Sequence, residues 1–134
     1  MEVNGVHHVA FAVEDLDEAL ETYRSLFGAE VELRERVEAQ GVEAAYLRLG
    51  HGRVELVSPL AEDTPVGRFL AKRGPGMHHV GLEVEDVAAA TRELAAEGVE
   101  IVDREPRQGL GGHLVSFVHP DSLHGVLAEV VGVG

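Results

Sequence analysis

The chain has 134 residues, 45% hydrophobic and 26% charged, a balance that supports a globular fold with a core of its own. It has no cysteine, so disulfides and thiolate metal sites are excluded, and a metal must be held by His, Asp, Glu, Gln or water. A formal net charge of −13 argues against nucleic acid and anionic membranes as partners. No apolar run approaches the ~20 residues of a membrane span, and the N-terminus lacks a basic, apolar secretory signal, so a cytoplasmic protein is expected.

Residues 6–13 alternate with period two and predict a strand. Asp15 is a good N-cap, and Leu16, Ala19, Leu20, Tyr23, Leu26 and Phe27 follow at helical spacing until Gly28. Strands are expected over 30–36, 42–49 and 52–58, punctuated by Gln40-Gly41 and by Gly50-His51-Gly52. Thr64-Pro65 opens a short helix over 65–73. Gly74-Pro75-Gly76 then breaks the chain into two modules, 1–73 and 77–134, within one domain spanning 1–134. The second module repeats the plan. A strand covers 77–84, and Asp86 caps a helix that turns Val87, Ala90 and Leu94 inward and ends at Gly98. Strands follow near 99–102, 113–118 and 124–131, with a glycine-rich loop over 104–112. The order β-α-β-β-β, twice, defines an α+β fold.

The repeat is visible as a phrase. Val6-His7-His8-Val9-Ala10 returns 71 residues later as Met77-His78-His79-Val80-Gly81, each time followed by an acidic break and a helix. Strand parity sorts the histidines. His7 shares its face with Val9, Phe11 and Val13, and His78 with Val80, Leu82 and Val84, so these pack under a helix. His8 goes with Ala10 and Ala12, and His79 with Gly81 and Glu83, so the second histidine of each pair faces the small-residue side, which leaves room. The last strand of each module carries one glutamate among apolar residues, Glu55 and Glu129. Alone, such a glutamate reads as the wet face of a half-exposed strand. Two imidazoles and two carboxylates at matched places in two repeats favour a divalent transition metal, with open positions for a substrate chelate.

Other features are less specific. Gly109-Leu110-Gly111-Gly112 lacks the Lys-Ser/Thr of a phosphate loop, so it bends around a ligand or is only a turn. His51, His113, His119 and His124 show no partner pattern. Arg68, Lys72 and Arg73, with Arg104 and Arg107 beside the glycine loop, are either phosphate contacts or a solvated surface.

The duplicated plan with His8, Glu55, His79 and Glu129 resembles the vicinal oxygen chelate (glyoxalase/bleomycin resistance/dioxygenase) superfamily. Within it the chain is similar to the methylmalonyl-CoA epimerases over nearly its whole length. The likeness runs through His8-Val9-Ala10, Gln40-Gly41-Val42, Glu55-Leu56-Val57-Ser58-Pro59-Leu60 and Asp63-Thr64-Pro65-Val66. It continues through Gly76-Met77-His78-His79-Val80, Phe117-Val118-His119-Pro120 and Gly125-Val126-Leu127-Ala128-Glu129. The resemblance implies two βαβββ modules forming an open, cupped sheet, usually as a homodimer. It implies a divalent metal ion (cobalt, manganese, zinc, nickel or magnesium) on His8, Glu55, His79 and Glu129. It also implies a small-molecule acyl-CoA substrate and interconversion of (2R)- and (2S)-methylmalonyl-CoA. Proton removal at C2 would be followed by return to the opposite face, with Glu129 as the catalytic carboxylate. Some family members carry a second acid three residues after the Gln-Gly glycine, where this chain has Ala44. Glu43 is adjacent, but parity points it to the other face, leaving another residue or a metal-bound water for that role. A glyoxalase I-type lactoylglutathione lyase and a metal-free binding module of the same fold are the alternatives.

Overall fold

Each histidine phrase becomes a strand that feeds a capped helix. The computed structural model describes residues 1–103 and 105–133, so Arg104, expected beside the glycine loop, lies outside the described residues. In the first half β1 (Gly5–Ala12) leads into α1 (Leu16–Phe27). The Asp15 carboxylate accepts the Glu18 N–H at 3.0 Å, a cap worth about 1 kcal/mol. At the other end Gly28 takes the left-handed conformation, with φ 67°, and its N–H returns to the last turn. Three antiparallel strands follow: β2 (Glu30–Val37), β3 (Val42–Leu49) and β4 (Gly52–Pro59). They are ordered β2-β3-β4-β1, with β1 parallel to β4. The apolar stripe of α1 closes over one face of these strands. Leu16, Ala29, Ala45, Leu47 and Leu56 are buried there, with Phe11, Val13, Leu20 and Tyr23 packed around them. This burial holds the helix, since a twelve-residue helix is marginal by itself.

The proline-led segment forms α2 (Pro65–Arg73). The Thr64 hydroxyl accepts the Gly67 N–H at 3.0 Å and donates to the Ala61 carbonyl at 2.7 Å. Gly67 has no space for a side chain, because a Cβ there would stand 2.5 Å from the Glu62 carbonyl oxygen and 2.6 Å from that of Ala61.

In the second half β5 (Gly76–Val84) is followed by α3 (Val87–Ala96), capped by the Asp86 carboxylate on the Ala89 N–H at 3.0 Å. Val87, Ala90 and Leu94 face inward onto Val84 and Val130, as the periodicity predicts. The later strands depart from expectation. Over 99–102 there is only an isolated bridge, Ile101 to Val118. The Asp103 carboxylate explains why pairing stops: it accepts the Phe117 N–H at 3.3 Å, in place of a backbone carbonyl, and lies 3.2 Å from Arg107 Nε. The strand position passes to β6 (Arg107–Gln108), inside the expected loop, which pairs with β7 (Leu114–Val118). The last strand, β8 (Ala128–Gly132), starts later than expected. A 3₁₀ turn over Pro120–Leu123 precedes it, and His124 and Gly125 take φ of 57° and 93°, which no strand can continue through. The order is β5-β8-β7-β6, with β5 parallel to β8.

The chain resolves into two compact units, His8–His78 and Met1–His7 with His79–Gly134. The first seven residues join the second unit through the Asn4 N–H on the Glu83 carbonyl (2.8 Å) and the terminal ammonium on the Glu93 carboxylate (2.8 Å). No helix of the described residues is long and apolar enough to cross a membrane.

The crowding at Gly67 makes a stability prediction. Gly67→Ala should lower the unfolding free energy by about 1–3 kcal/mol in denaturant titration, the cost of forcing atoms into filled space. A variant as stable as the parent would mean that the turn ahead of α2 yields freely.

Candidate active site

Strand register decides which side chains look away from the helices. In the first unit Glu55 is paired with Ala10 of β1 and with Tyr46 of β3, and Ala44 with Val57. Paired residues share a face, so His8, Ala10, Ala12, Ala44, Tyr46 and Glu55 lie together, opposite the surface covered by α1. His8 is 1% exposed and Glu55 4%, and His8 Nε2 is 3.2 Å from Glu55 Oε1. The Tyr46 ring, also buried, lies 5.4 Å from the His8 ring. The Arg53 guanidinium stands 5.5 Å from the centre of the tyrosine ring and is tied to the Glu32 carboxylate at 2.7 Å.

The second unit repeats the arrangement. Glu129 is paired with Gly81 of β5 and with Phe117 of β7. His79 Nε2 is 3.6 Å from Glu129 Oε1, with both residues buried. The Phe117 ring meets the His79 ring edge to face at 5.2 Å. The first histidine of each phrase is engaged elsewhere. His7 is buried with its ring 6.0 Å from that of His113, and His78 meets Phe69 edge to face at 4.9 Å.

A buried carboxylate in an apolar strand is costly unless it is paired. Each unit buries one beside an imidazole, and these pairs are of the kind that holds a divalent metal. Tyr46 and Phe117 were missed by sequence reasoning. Their signal lies in register, because each is the residue directly across from a buried glutamate.

Glu43, next to Ala44 in the chain, is on the other face. Its carboxylate holds Arg34 Nε at 3.0 Å, while Arg34 Nη1 reaches Asp17 of α1 at 2.7 Å. The hydrogen bond to Glu43, then that to Asp17, raises the Arg34 guanidinium above its ordinary value. Of the remaining histidines, His119 caps the 3₁₀ turn by accepting the Asp121 N–H at Nδ1 (3.0 Å), His124 supplies its left-handed exit, and His51 is exposed.

Two parallel-linked β-α-β-β-β units, each with a buried His–Glu pair on the side away from its helix, define a recognisable class. The family model described as the Glyoxalase/Bleomycin resistance protein/Dioxygenase superfamily matches residues 7–117, and the chain belongs to that superfamily. It is 36% identical over 129 residues to the mitochondrial methylmalonyl-CoA epimerase of Dictyostelium discoideum, covering 96% of this chain and 78% of that one. It is 37% identical to the ethylmalonyl-CoA/methylmalonyl-CoA epimerase of Cereibacter sphaeroides, covering 96% of this chain and 97% of the relative. Among solved structures, a variant of the Streptomyces coelicolor methylmalonyl-CoA epimerase in complex with 2-nitronate-propionyl-CoA is 37% identical. It superposes with a TM-score of 0.95 over 99% of each chain. Within the superfamily, this chain belongs to the methylmalonyl-CoA epimerase family.

Because Glu43 faces α1, Glu43→Gln should leave the His8 ring resonances unchanged in the NMR spectrum. It should cost no more than about 1 kcal/mol of stability, the range of an exposed ion pair. A large shift at His8 would place Glu43 on the histidine face.

Proposed function

We propose that this chain interconverts (2R)- and (2S)-methylmalonyl-CoA by taking the proton from C2 and returning it on the opposite face. The observation that carries the reading is the pair of buried His–Glu contacts at repeat-matched positions, in a chain similar to methylmalonyl-CoA epimerases along nearly all its length. His8, Glu55, His79 and Glu129 would together hold one divalent ion. The donor set fits: two imidazole nitrogens and two carboxylates suit a first-row transition metal, and no thiolate is present to favour a softer one. Such an ion supplies Lewis-acid polarisation of the thioester and carboxylate oxygens of the substrate.

The rest is done by the chain. Glu129 is the base at C2, held in place by strand pairing on both sides and shielded from bulk water. His79 Nε2 stands 3.6 Å from one oxygen of that carboxylate. On the first unit, Ala44 offers no acid. Tyr46, two residues on and on the same face, is paired across from Glu55 with its ring 5.4 Å from that of His8, and is the chain's own group for the second face. The working form is proposed to be a cytoplasmic homodimer, which sedimentation would test directly.

The deciding experiment is deuterium exchange at C2, measured separately from the 2R and 2S thioesters. The parent should bind about one divalent ion per chain by elemental analysis. His8→Gln should lose that ion and His7→Gln should keep it. Glu129→Gln should still bind substrate but lose exchange by at least ~10², the lower range for a lost general base. Tyr46→Phe keeps the ring and should slow exchange from one epimer more than from the other. Full exchange in Glu129→Gln from both epimers would remove the mechanism. Turnover of a glutathione hemithioacetal, with none of the malonyl thioester, would assign the chain to lactoylglutathione lyase chemistry instead.

A further inference from the structure

The charge of this chain is unevenly placed. Against 24 carboxylates it has 11 lysines and arginines, and most of these are neutralised where they stand. Arg24 is held by Glu21, Arg34 by Asp17 and Glu43, and Arg36 by Glu38. Arg48 and Arg53 share Glu32, and Arg107 is held by Asp103. Among the described residues, the cations with no carboxylate partner are Arg92 and three neighbours on one nine-residue helix, Arg68, Lys72 and Arg73 of α2.

Those three are exposed, and α2 itself contains no acid. Positions 68 and 72 are one turn apart and share a side of the helix, and 73 follows at its C-terminal end. Val66 and Gly67 are buried. Helix-end electrostatics accounts for Lys72 and Arg73, which sit in the last turn where cations are favoured. It does not account for Arg68, which lies near the N-terminal end. Arg68 is held in position all the same, with Nη1 donating to the Asp63 carbonyl at 2.8 Å. Arg73 is also positioned. Its guanidinium stands 5.7 Å from the centre of the Phe69 ring, and that ring is braced edge to face by His78 at 4.9 Å. Two guanidinium forks and one ammonium, partly ordered and without counter-charges, form a surface suited to phosphate. In a chain of net charge −13, such a local positive field favours the approach of a polyanionic substrate. The helix is also linked to the histidines: it ends shortly before β5, whose His78 braces Phe69 and immediately precedes His79.

We propose that Arg68, Lys72 and Arg73 of α2 anchor the phosphates of the coenzyme A nucleotide. This assigns the residues that hold the nucleotide end of the substrate, and it rests on the acyl-CoA reading above.

The test compares methylmalonyl-CoA with methylmalonyl-pantetheine, which has the same reacting end and no nucleotide. The variants are R68Q, K72Q, R73Q and the triple change, all on exposed positions and all to a good helix former. R92Q, an unpaired exposed cation on α3, is the control. The triple variant should raise KM for the CoA thioester by about 10-fold or more, the loss of charge-assisted contacts to phosphate, with kcat within about twofold of the parent. Its kcat/KM for the pantetheine thioester should match the parent, and the salt dependence of kcat/KM for the CoA thioester should largely vanish. R92Q should behave as the parent with both substrates. An unchanged KM for the CoA thioester in the triple variant overturns the anchor while leaving the epimerase reading intact. Equal losses with both thioesters also overturn it, because the effect is then not on the nucleotide. Calorimetry with coenzyme A alone separates the two failures. A parent that binds coenzyme A without epimerising anything fails only the reaction, and the anchor then stands or falls on whether the triple variant loses that binding. A parent that neither binds coenzyme A nor turns over either thioester defeats both.

Discussion

Two carboxylates taken out of water set the terms for the rest of this molecule. Glu55 and Glu129 are each 4% exposed, flanked in their strands by Val54 and Leu56 and by Ala128 and Val130. Uncompensated, each would cost several kcal/mol. Compensation comes from an imidazole brought in by the parallel strand beside it, at 3.2 Å in one unit and 3.6 Å in the other. The pairing of β1 with β4 and of β5 with β8 is therefore what makes the glutamates tolerable as well as what builds each sheet. A design for stability alone would place apolar residues there. Finding the same costly pair twice indicates that function holds it.

The strand period translates that requirement into sequence. Within β1, His8 must face Glu55 while Phe11 packs against α1, so the two lie on opposite parities. The same rule separates Glu43 from Ala44. One position along the strand sends Glu43 to the Arg34–Asp17 cluster at α1 and leaves Ala44 on the histidine side. A one-residue slip of β3 would exchange them. The slip is blocked because it would also turn Leu47 out of the core and bring Arg48 in.

These same relations explain which parts could be read from sequence. The helix starts were legible because a cap is local: Asp15, Thr64 and Asp86 each satisfy an N–H three residues on. The four His and Glu positions were legible because duplication marks them twice. The edge strands of the second unit were not. Whether 99–102 or 107–108 pairs with β7 depends on Asp103 reaching the Phe117 N–H, a contact between residues far apart in the chain. The late start of β8 turns on His124 adopting a left-handed conformation, which a β-carbon normally disfavours and which no pattern of apolar residues announces. Tyr46 stayed hidden for a related reason. An aromatic residue in an apolar strand reads as core until the register places it opposite a glutamate.

Register also exposes a difference between the two halves beside the buried pairs. Across from Glu55 stands Tyr46, and across from Glu129 stands Phe117, each with its ring within 5.4 Å of the local histidine ring. The rings do the same packing job, closing off the imidazole and restricting its orientation. They differ by a hydroxyl. In the second unit Phe117 brings no ionisable group beside His79 and Glu129. In the first, the phenol adds a hydroxyl two residues along the strand from Ala44, on the same face. A single oxygen on one of two otherwise equivalent rings is a small change that breaks the symmetry of the repeat without disturbing its packing.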